Sequence, residues 1–173
     1  VFRVEKHTSD NIDDDRWLYL PGLDLVKRIS AGDKRTSFVG SHFFYEDISG
    51  RSTQADSYTF VTQTADRFIL KAVPKHPDEV EFSEFDVEID KTTFMPMKIT
   101  FLDKSAKPYR LVETLETETI NGYTTVTQSK ISDLENGGHT LMEFRNIRYD
   151  LGLPDSIFAE RSLRNPPLEW LRR

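Results

Sequence analysis

The stretch EFDVEID, residues 84–90, alternates without exception between acidic and apolar side chains. Its apolar positions are Phe85, Val87 and Ile89, and every position between and beside them is acidic. Successive side chains of a β-strand point to opposite faces, so a period of two predicts a strand with one buried face and one wet face. The stretch therefore predicts a half-buried strand whose outer face is strongly acidic.

The same period continues through the residues that follow. Met97, Ile99 and Phe101 alternate with Lys98 and Thr100. Three further strands are predicted at Tyr109–Leu115, Tyr123–Ile131 and Thr140–Tyr149. Short turn signals separate these strands, and one of them is Asn121-Gly122, a pair favoured in two-residue hairpins because both positions tolerate positive φ. Five strands joined by short turns predict an antiparallel meander.

The first half of the chain is also extended. Five strands are predicted there, at Phe2–His7, Arg16–Leu20, Leu25–Ser30, Ser57–Thr64 and Arg67–Val73. Helices are predicted only at Ser41–Ile48 and Ser156–Leu163. We therefore expect a mainly β fold with one curved antiparallel sheet of at least eight strands. Such a sheet covers its apolar face by closing into a barrel, by packing on a second sheet, or by staying open and holding an apolar ligand.

Composition excludes several classes of protein. The chain has 173 residues and a net charge of −6, which argues against a general nucleic-acid binder. No run of 18 apolar residues is present to span a membrane, and the chain has no cysteine. The four histidines lack ligand spacing, and neither a G-x-S-x-G elbow nor a Gly-rich phosphate loop occurs. We predict no enzyme activity, no metal site and no cofactor.

An aromatic and basic stretch, RWLYLPGLDLVKRISAGDKR, fills residues 16–35. Trp17 and Tyr19 share one face of a strand and Leu18 and Leu20 share the other, which predicts a central strand covered on both sides. The four basic residues that follow form either a solvated surface or a site for lipid headgroups or an acidic partner. These residues are Lys27, Arg28, Lys34 and Arg35.

Several separated motifs, in order, resemble the LolA-like family of outer-membrane lipoprotein-sorting proteins. They begin with RWLYLP, VKRIS, SF, GS and YED between residues 16 and 47. The later ones are IDKTTFMP at 89–96, INGY at 120–123, GLPDSIF at 152–158 and RSLR at 161–164. The resemblance covers nearly the whole chain.

The resemblance implies a curved antiparallel meander that forms an unclosed half-barrel, with short helices as a lid. It implies one domain over residues 1–173, lacking the helix and strands with which family members usually begin. It further implies a non-enzymatic periplasmic carrier in a Gram-negative bacterium that binds lipid or the acyl chains of lipoproteins in a concave apolar cavity. Its protein partners would be an inner-membrane exporter and an outer-membrane acceptor.

Two alternatives to the carrier stay open at this point: an accessory protein that docks on an inner-membrane lipid exporter, and a structural β-domain with a filled core. In the carrier, bulky inner-face side chains and those beside the Gly40-Ser41 hinge would form the cavity. The candidates are Trp17, Tyr19, Phe43, Phe44, Tyr45, Phe85, Val87, Ile89, Met97, Ile99 and Phe101. If the front of the domain is missing, we expect Phe2–His7 at an exposed edge, where an edge-strand dimer could form.

Overall fold

The computed structural model describes residues 1–7 and 12–171, and the fold is mainly β, as predicted. These residues divide into two compact units. The first unit contains residues 1–36 and 150–173, and the second contains residues 37–149. The prediction of a single domain stays a prediction.

The second unit contains a seven-stranded antiparallel sheet in the order β10-β9-β8-β7-β6-β5-β4. Its strands are β4 (Asp56–Gln63), β5 (Arg67–Pro74), β6 (Phe82–Asp90), β7 (Pro96–Asp103), β8 (Pro108–Ile120), β9 (Tyr123–Asp133) and β10 (His139–Glu143). Each strand pairs with the next along the chain, which confirms the meander. The sheet is unclosed, because β4 and β10 lie at opposite edges. Asn121 and Gly122, with φ of 51° and 85°, form the β8–β9 hairpin, as predicted.

The first unit has its own three-stranded antiparallel sheet in the order β1-β2-β3. Its strands are β1 (Phe2–Glu5), β2 (Asp15–Leu20) and β3 (Leu25–Ile29). The expectation of at least eight strands in one sheet was therefore wrong. The physical reason is the long non-strand segment between Ile29 and Asp56, which leaves the early strands to pair with one another. β2 is the central strand of the three, in agreement with its apolar residues on both faces.

Helices are shorter than predicted. α1 (Tyr45–Ser49) occupies only the end of the predicted helix, because residues 37–44 form a tight loop in which Ser41 donates to the Phe38 carbonyl. The second predicted helix is broken by the extended backbone of Ala159 into a 3-10 turn and α2 (Arg161–Arg164). A further single turn, α3 (Leu168–Leu171), follows. The last predicted strand is also short, because β10 ends at Glu143 and Asn146 takes a left-handed conformation.

Candidate functional site

The second unit has its hydrophobic core on one face of the seven-stranded sheet, here called the inner face. The alternating positions of β6 and β7 meet there, with Phe85 opposite Phe101 and Val87 opposite Ile99. The buried residues of this core are Ala72, Val80, Phe82, Phe85, Val87 and Phe101. The acidic positions point away from it, where Glu84 pairs with Lys71 and Glu88 pairs with Lys98. The alternation read from residues 84–101 thus agrees with the observed register.

Three phenylalanine rings pack directly on one another in this core. The centroid of Phe82 lies 5.7 Å from that of Phe85 and 5.1 Å from that of Phe101, and Phe85 and Phe101 are 5.0 Å apart. Such spacing is typical of edge-to-face and tilted aromatic pairs in a packed interior. In this structure Phe85, Val87 and Phe101 therefore contact protein, with Ile89 and Ile99 packed beside them and Met97 half-buried. Their predicted role in binding cargo stays a prediction.

Residues 41–50, here called the cover segment, lie against the same sheet. They include α1, whose first turn buries Tyr45 and Glu46, and the preceding Phe43 is also buried. The Asp47 carboxylate accepts a hydrogen bond from the backbone N–H of Phe44, which satisfies one of the amides left free where a helix begins. Three of the predicted cavity residues, Phe43, Phe44 and Tyr45, thus belong to a short helical segment of the second unit.

Arg110 of β8 holds the cover segment to the inner face. Its side chain is 4% exposed, and Nη2 donates to the Asp47 carboxylate and to the carbonyl of His42. The guanidinium lies 4.2 Å from the Phe44 ring and 5.5 Å from the Phe101 ring. A cation over aromatic faces is attracted by their quadrupoles. Arg110 therefore joins one predicted ring from the cover segment to one from the sheet.

The other guanidinium nitrogen of Arg110 lacks a protein partner. Among the described residues, Nη1 is buried with no hydrogen-bond acceptor within reach. A buried donor without an acceptor is costly, because it has lost water and gained nothing in exchange. The contacts of Arg110 with the cover segment are therefore made through Nη2 and through the face of the guanidinium.

A second, half-buried cation lies at the end of the cover segment. Arg51 forms a two-pronged pair with Asp56 at 2.8 Å for each contact, and its Nη1 lies 3.2 Å from Glu46. Asp56 and Glu46 are both buried, and Arg51 also lies 5.3 Å from the Phe82 ring. Two buried carboxylates around one guanidinium tie α1 to the start of β4, because separating them would leave uncompensated charge in the interior.

Glycines flank the cover segment. Gly40 and Gly50 have φ of 78° and 80°, conformations that side chains with a Cβ rarely adopt. Near the start of the segment, His42 contacts Thr140 of β10 through both its backbone N–H and its ring Nδ1, at 3.1 and 2.8 Å. The His42 ring also needs a glycine at position 138, where a Cβ would lie 3.1 Å from Nε2. The segment is thus a defined unit with turns of unusual backbone conformation at both ends.

The aromatic residues of the first unit are covered by arginines. On one face of the three-stranded sheet, the Arg3 guanidinium lies 4.4 Å from the Trp17 ring and that of Arg164 lies 5.9 Å from the Tyr19 ring. Arg3 also donates to the Phe158 carbonyl, and Arg164 pairs with Asp24. Trp17 and Tyr19 therefore support the C-terminal segment of their own unit, and the structure places them in a different unit from the other predicted cavity residues.

The four predicted headgroup residues differ in their surroundings. Arg28 pairs with Asp15, and Lys34 lies 3.4 Å from Asp13. Lys27 is exposed and Arg35 is half-buried. Two of the four thus take part in ion pairs with the acidic run that precedes β2, and the predicted headgroup role is untested.

Hydrogen bonds lower the pKa values of two carboxyls in that run. For Asp15 the largest cause is the hydrogen bond from Arg28, followed by that from His7. For Asp14 the largest single influence is burial, which raises the pKa, but the hydrogen bonds from Lys6 and the His7 backbone, with the charges of Lys6 and Arg16, together outweigh it and lower the pKa. Both carboxyls are therefore held in the charged form that their partners require.

Two cavities are open in the first unit. One of about 250 Å³ is bordered by residues 13–15 and 28–31, and one of about 400 Å³ is bordered by Val26, Asn165 and the arginines of α2. None of the predicted cargo residues borders either cavity. Over residues 1–7 and 12–171, no cluster of three or more metal-binding side chains is found. In the same residues no helix has both the length and the apolar character needed to cross a bilayer.

Comparisons with known proteins agree with this architecture. A family model described as "uncharacterized protein" matches residues 3–165. The chain belongs to that family. Among curated proteins, no significant match to the sequence was found.

Three solved structures are similar to the chain. A DUF1329 family protein from Desulfovibrio piger has a TM-score of 0.82 and 29% identity, over 94% of this chain and 70% of that one. A domain described as a candidate outer-membrane lipoprotein-sorting protein from Vibrio parahaemolyticus has a TM-score of 0.85 and 26% identity, with the same coverage. A LolA superfamily protein from Nitrosomonas europaea shares the fold, with a TM-score of 0.61, 19% identity and coverage of 86% and 68%. The LolA-like resemblance read from the motifs is confirmed.

The sequence reasoning missed the charged residues of the site. Arg110, Arg51, Glu46 and Asp56 were not singled out, although all four lie at or under the cover segment. One signal was available for Arg110. Arg110 lies two residues before Val112 in β8, so the two side chains point to the same face of the sheet. The predicted strand pairing therefore already placed a charged side chain on the apolar face. A charge at such a position needs a buried partner, and no local pattern identified Asp47 as that partner.

Proposed function

We propose that this chain is a non-enzymatic periplasmic carrier that binds the acyl chains of lipid or lipoprotein cargo. The binding surface is the inner face of the seven-stranded sheet, and the cover segment moves aside to admit the cargo. The observation that carries the proposal is the kind of cover the face has. The cover segment, with positive-φ glycines at Gly40 and Gly50, lies on that face of the unclosed sheet, and its contacts there include the Arg110–Asp47 pair.

One comparison supports this class of cargo. One similar structure is described as a candidate outer-membrane lipoprotein-sorting domain, and this chain spans most of its length. Such a role requires reversible burial of hydrocarbon and no covalent chemistry. It also places the protein between two membranes, which is the basis for proposing the periplasm.

The free energy gained by burying an acyl chain is similar to or larger than the cost of opening the cover segment. Opening the cover separates Arg110 from Asp47 and exposes the buried side chains of Phe43 and Tyr45, at about 1.5–3 kcal/mol for each large apolar side chain. An acyl chain that buries about ten methylenes gains about 8 kcal/mol, at about 0.8 kcal/mol for each. Cargo can therefore displace the cover segment, whereas water alone leaves it closed.

Native mass spectrometry of protein purified without detergent tests this function. We expect a fraction of the protein to carry an adduct of lipid mass, and we expect the purified protein to take up a fluorescent fatty acid. Phe44→Ala removes a cover-segment ring that contacts Arg110, so it should ease opening of the cover and strengthen uptake. Phe94→Ala is the matched control, because Phe94 is an exposed ring in the β6–β7 turn and its loss should leave uptake unchanged.

One observation favours a different function. The mutual contact of Phe82, Phe85 and Phe101 is what a structural β-domain with a filled core would show. Protein free of lipid adducts and without fatty-acid uptake would support that structural role. Uptake that falls equally in the Phe44→Ala and Phe94→Ala variants would mean that the probe binds exposed rings, and it would count against the carrier.

A further inference from the structure

The edges of the two sheets are not alike. Among the described residues, the edge strands β1, β3 and β10 are four or five residues long, and each carries charged side chains. β4 is eight residues long, and from Ser57 to Ala65 its sequence has no charge at all. Charged side chains and short length are the usual means by which proteins prevent an edge strand from pairing with another chain. β4 lacks both.

β4 also exposes large apolar side chains. Phe60 is 57% exposed and Tyr58 is 42% exposed. Both point to the inner face, since Tyr58 lies opposite Ala72 and Phe60 lies opposite Leu70 in β5. A long uncharged edge with high β-propensity and exposed aromatic rings has the features of a strand that gains a partner.

We propose that β4 pairs with β4 of a second copy of this chain, antiparallel and about a two-fold axis at Thr59. Tyr58 then lies opposite Phe60 of the second copy, and Phe60 lies opposite its Tyr58. All four rings are on the inner faces, which adjoin across the axis. The two seven-stranded sheets join into one continuous sheet. This inference does not depend on the carrier function.

A second copy fits this edge for two reasons. Two-fold pairing brings an uncharged strand against an identical uncharged strand, so no like charges oppose each other where the strands meet. The aromatic residues also select the register. Shifting the pairing by one residue would turn the rings of one strand away from those of the other, and a centre at Phe60 would leave each Tyr58 opposite a threonine. The irregularity between Phe60 and Thr62 limits the pairing to the first half of β4.

Cysteine cross-linking tests the interface and its register, because the natural chain has no cysteine. In Thr59→Cys the two thiols would meet at the axis, within disulfide range, and mild oxidation should give a covalent dimer. Ser57→Cys should cross-link poorly, because residue 57 lies two residues from the two-fold axis in each copy and the two thiols are therefore far apart. Leu141→Cys, on the opposite edge strand β10, is the matched control and should stay monomeric. Equal cross-linking at positions 59 and 141, or none at 59, would overturn the proposal.

Sedimentation of protein without cross-links is the second test, and it measures the dimer dissociation constant. Thr59 lies opposite Lys71 in β5, so the glutamate of Thr59→Glu would have a neighbour of opposite charge within each copy. In the dimer it places two glutamates directly opposite each other, and the dimer dissociation constant should rise by about fivefold. Leu141→Glu, which faces Lys130 at the other edge, is the control and should leave dimerisation unchanged. A natural chain that is monomeric from micromolar to millimolar concentration would refute the inference.

Discussion

The two ends of the inner face have the same alternating pattern but different cover. At one end, Phe82, Phe85 and Phe101 are buried beneath contacts from Arg51 and Arg110. Towards β4, Phe60 is exposed, and Leu70 beside it is only half-buried. The difference comes from the cover segment and its ion pairs, since both ends belong to the same meander. Periodicity determines which face is apolar, and long-range polar contacts determine where that face is closed.

The largest contrast between the two ends should appear in stability. Phe82 is 0% exposed and contacts two other rings, so Phe82→Ala should lower the free energy of unfolding by about 3–5 kcal/mol. Phe60→Ala removes the same ring where it is mostly exposed, and in monomeric protein at low concentration it should change the unfolding free energy by less than about 0.5 kcal/mol. Urea unfolding measures both values. Similar losses at the two positions would show that the inner face is covered evenly.

The ion pairs of the cover segment should give the next largest effect. Arg51→Ala removes the cation that pairs with the buried Asp56 carboxylate, and we expect a loss of about 3 kcal/mol in unfolding free energy. Hydrogen exchange should locate the change, with faster exchange of amides in residues 43–50 and unchanged exchange in β6. Faster exchange throughout the sheet would mean that Arg51 supports the whole core and is not specific to the cover.

Much of the fold was predictable from local patterns, and the site was predictable only in part. The alternation at residues 84–101 predicted strands, faces and neighbours correctly because each depends on adjacent residues. The division into two sheets was missed, because it depends on how the chain between Ile29 and Asp56 folds. Arg110 and Asp47 are 63 positions apart, so their pairing depends on tertiary packing that no motif encodes. The arginines that cover Trp17 and Tyr19 were missed for the same reason.

The turns at the two ends of the sheet allow a pH comparison. The Asp90 carboxylate accepts hydrogen bonds from the backbone and side chain of Thr93, and Asp133 accepts from the backbone and side chain of Asn136. These bonds lower both pKa values in the folded protein. A lowered folded-state pKa contributes stability above the unfolded pKa of about 4, and that stability is lost as pH falls through the folded value.

Thermal unfolding between pH 7 and pH 2 measures this dependence. The natural chain should keep its melting temperature down to about pH 4 and lose it progressively below that value. Asp133→Asn should be less stable at neutral pH and should show a shallower acid dependence. An unchanged acid slope in that variant would show that the Asp133 contacts contribute nothing to stability.

The smallest effect is expected on the outer face. Lys98 and Glu88 form a pair at 3.2 Å with both side chains substantially exposed. Exposed pairs contribute about 0–1 kcal/mol, so Lys98→Ala should alter the unfolding free energy by less than about 1 kcal/mol. Added salt should remove the remaining difference. A loss as large as that of Arg51→Ala would contradict the distinction drawn here between buried and exposed charges.

A reversible disulfide between the cover segment and β10 tests whether cargo enters beneath the cover segment. His42 and Thr140 are in contact, and the chain has no other cysteine, so His42→Cys/Thr140→Cys creates one disulfide between the cover segment and β10. The account predicts that the oxidised protein excludes a fluorescent fatty acid, and that reduction restores uptake to the level of the two single variants. Equal uptake in the oxidised and reduced forms would show that cargo does not enter beneath the cover segment, and it would contradict the account.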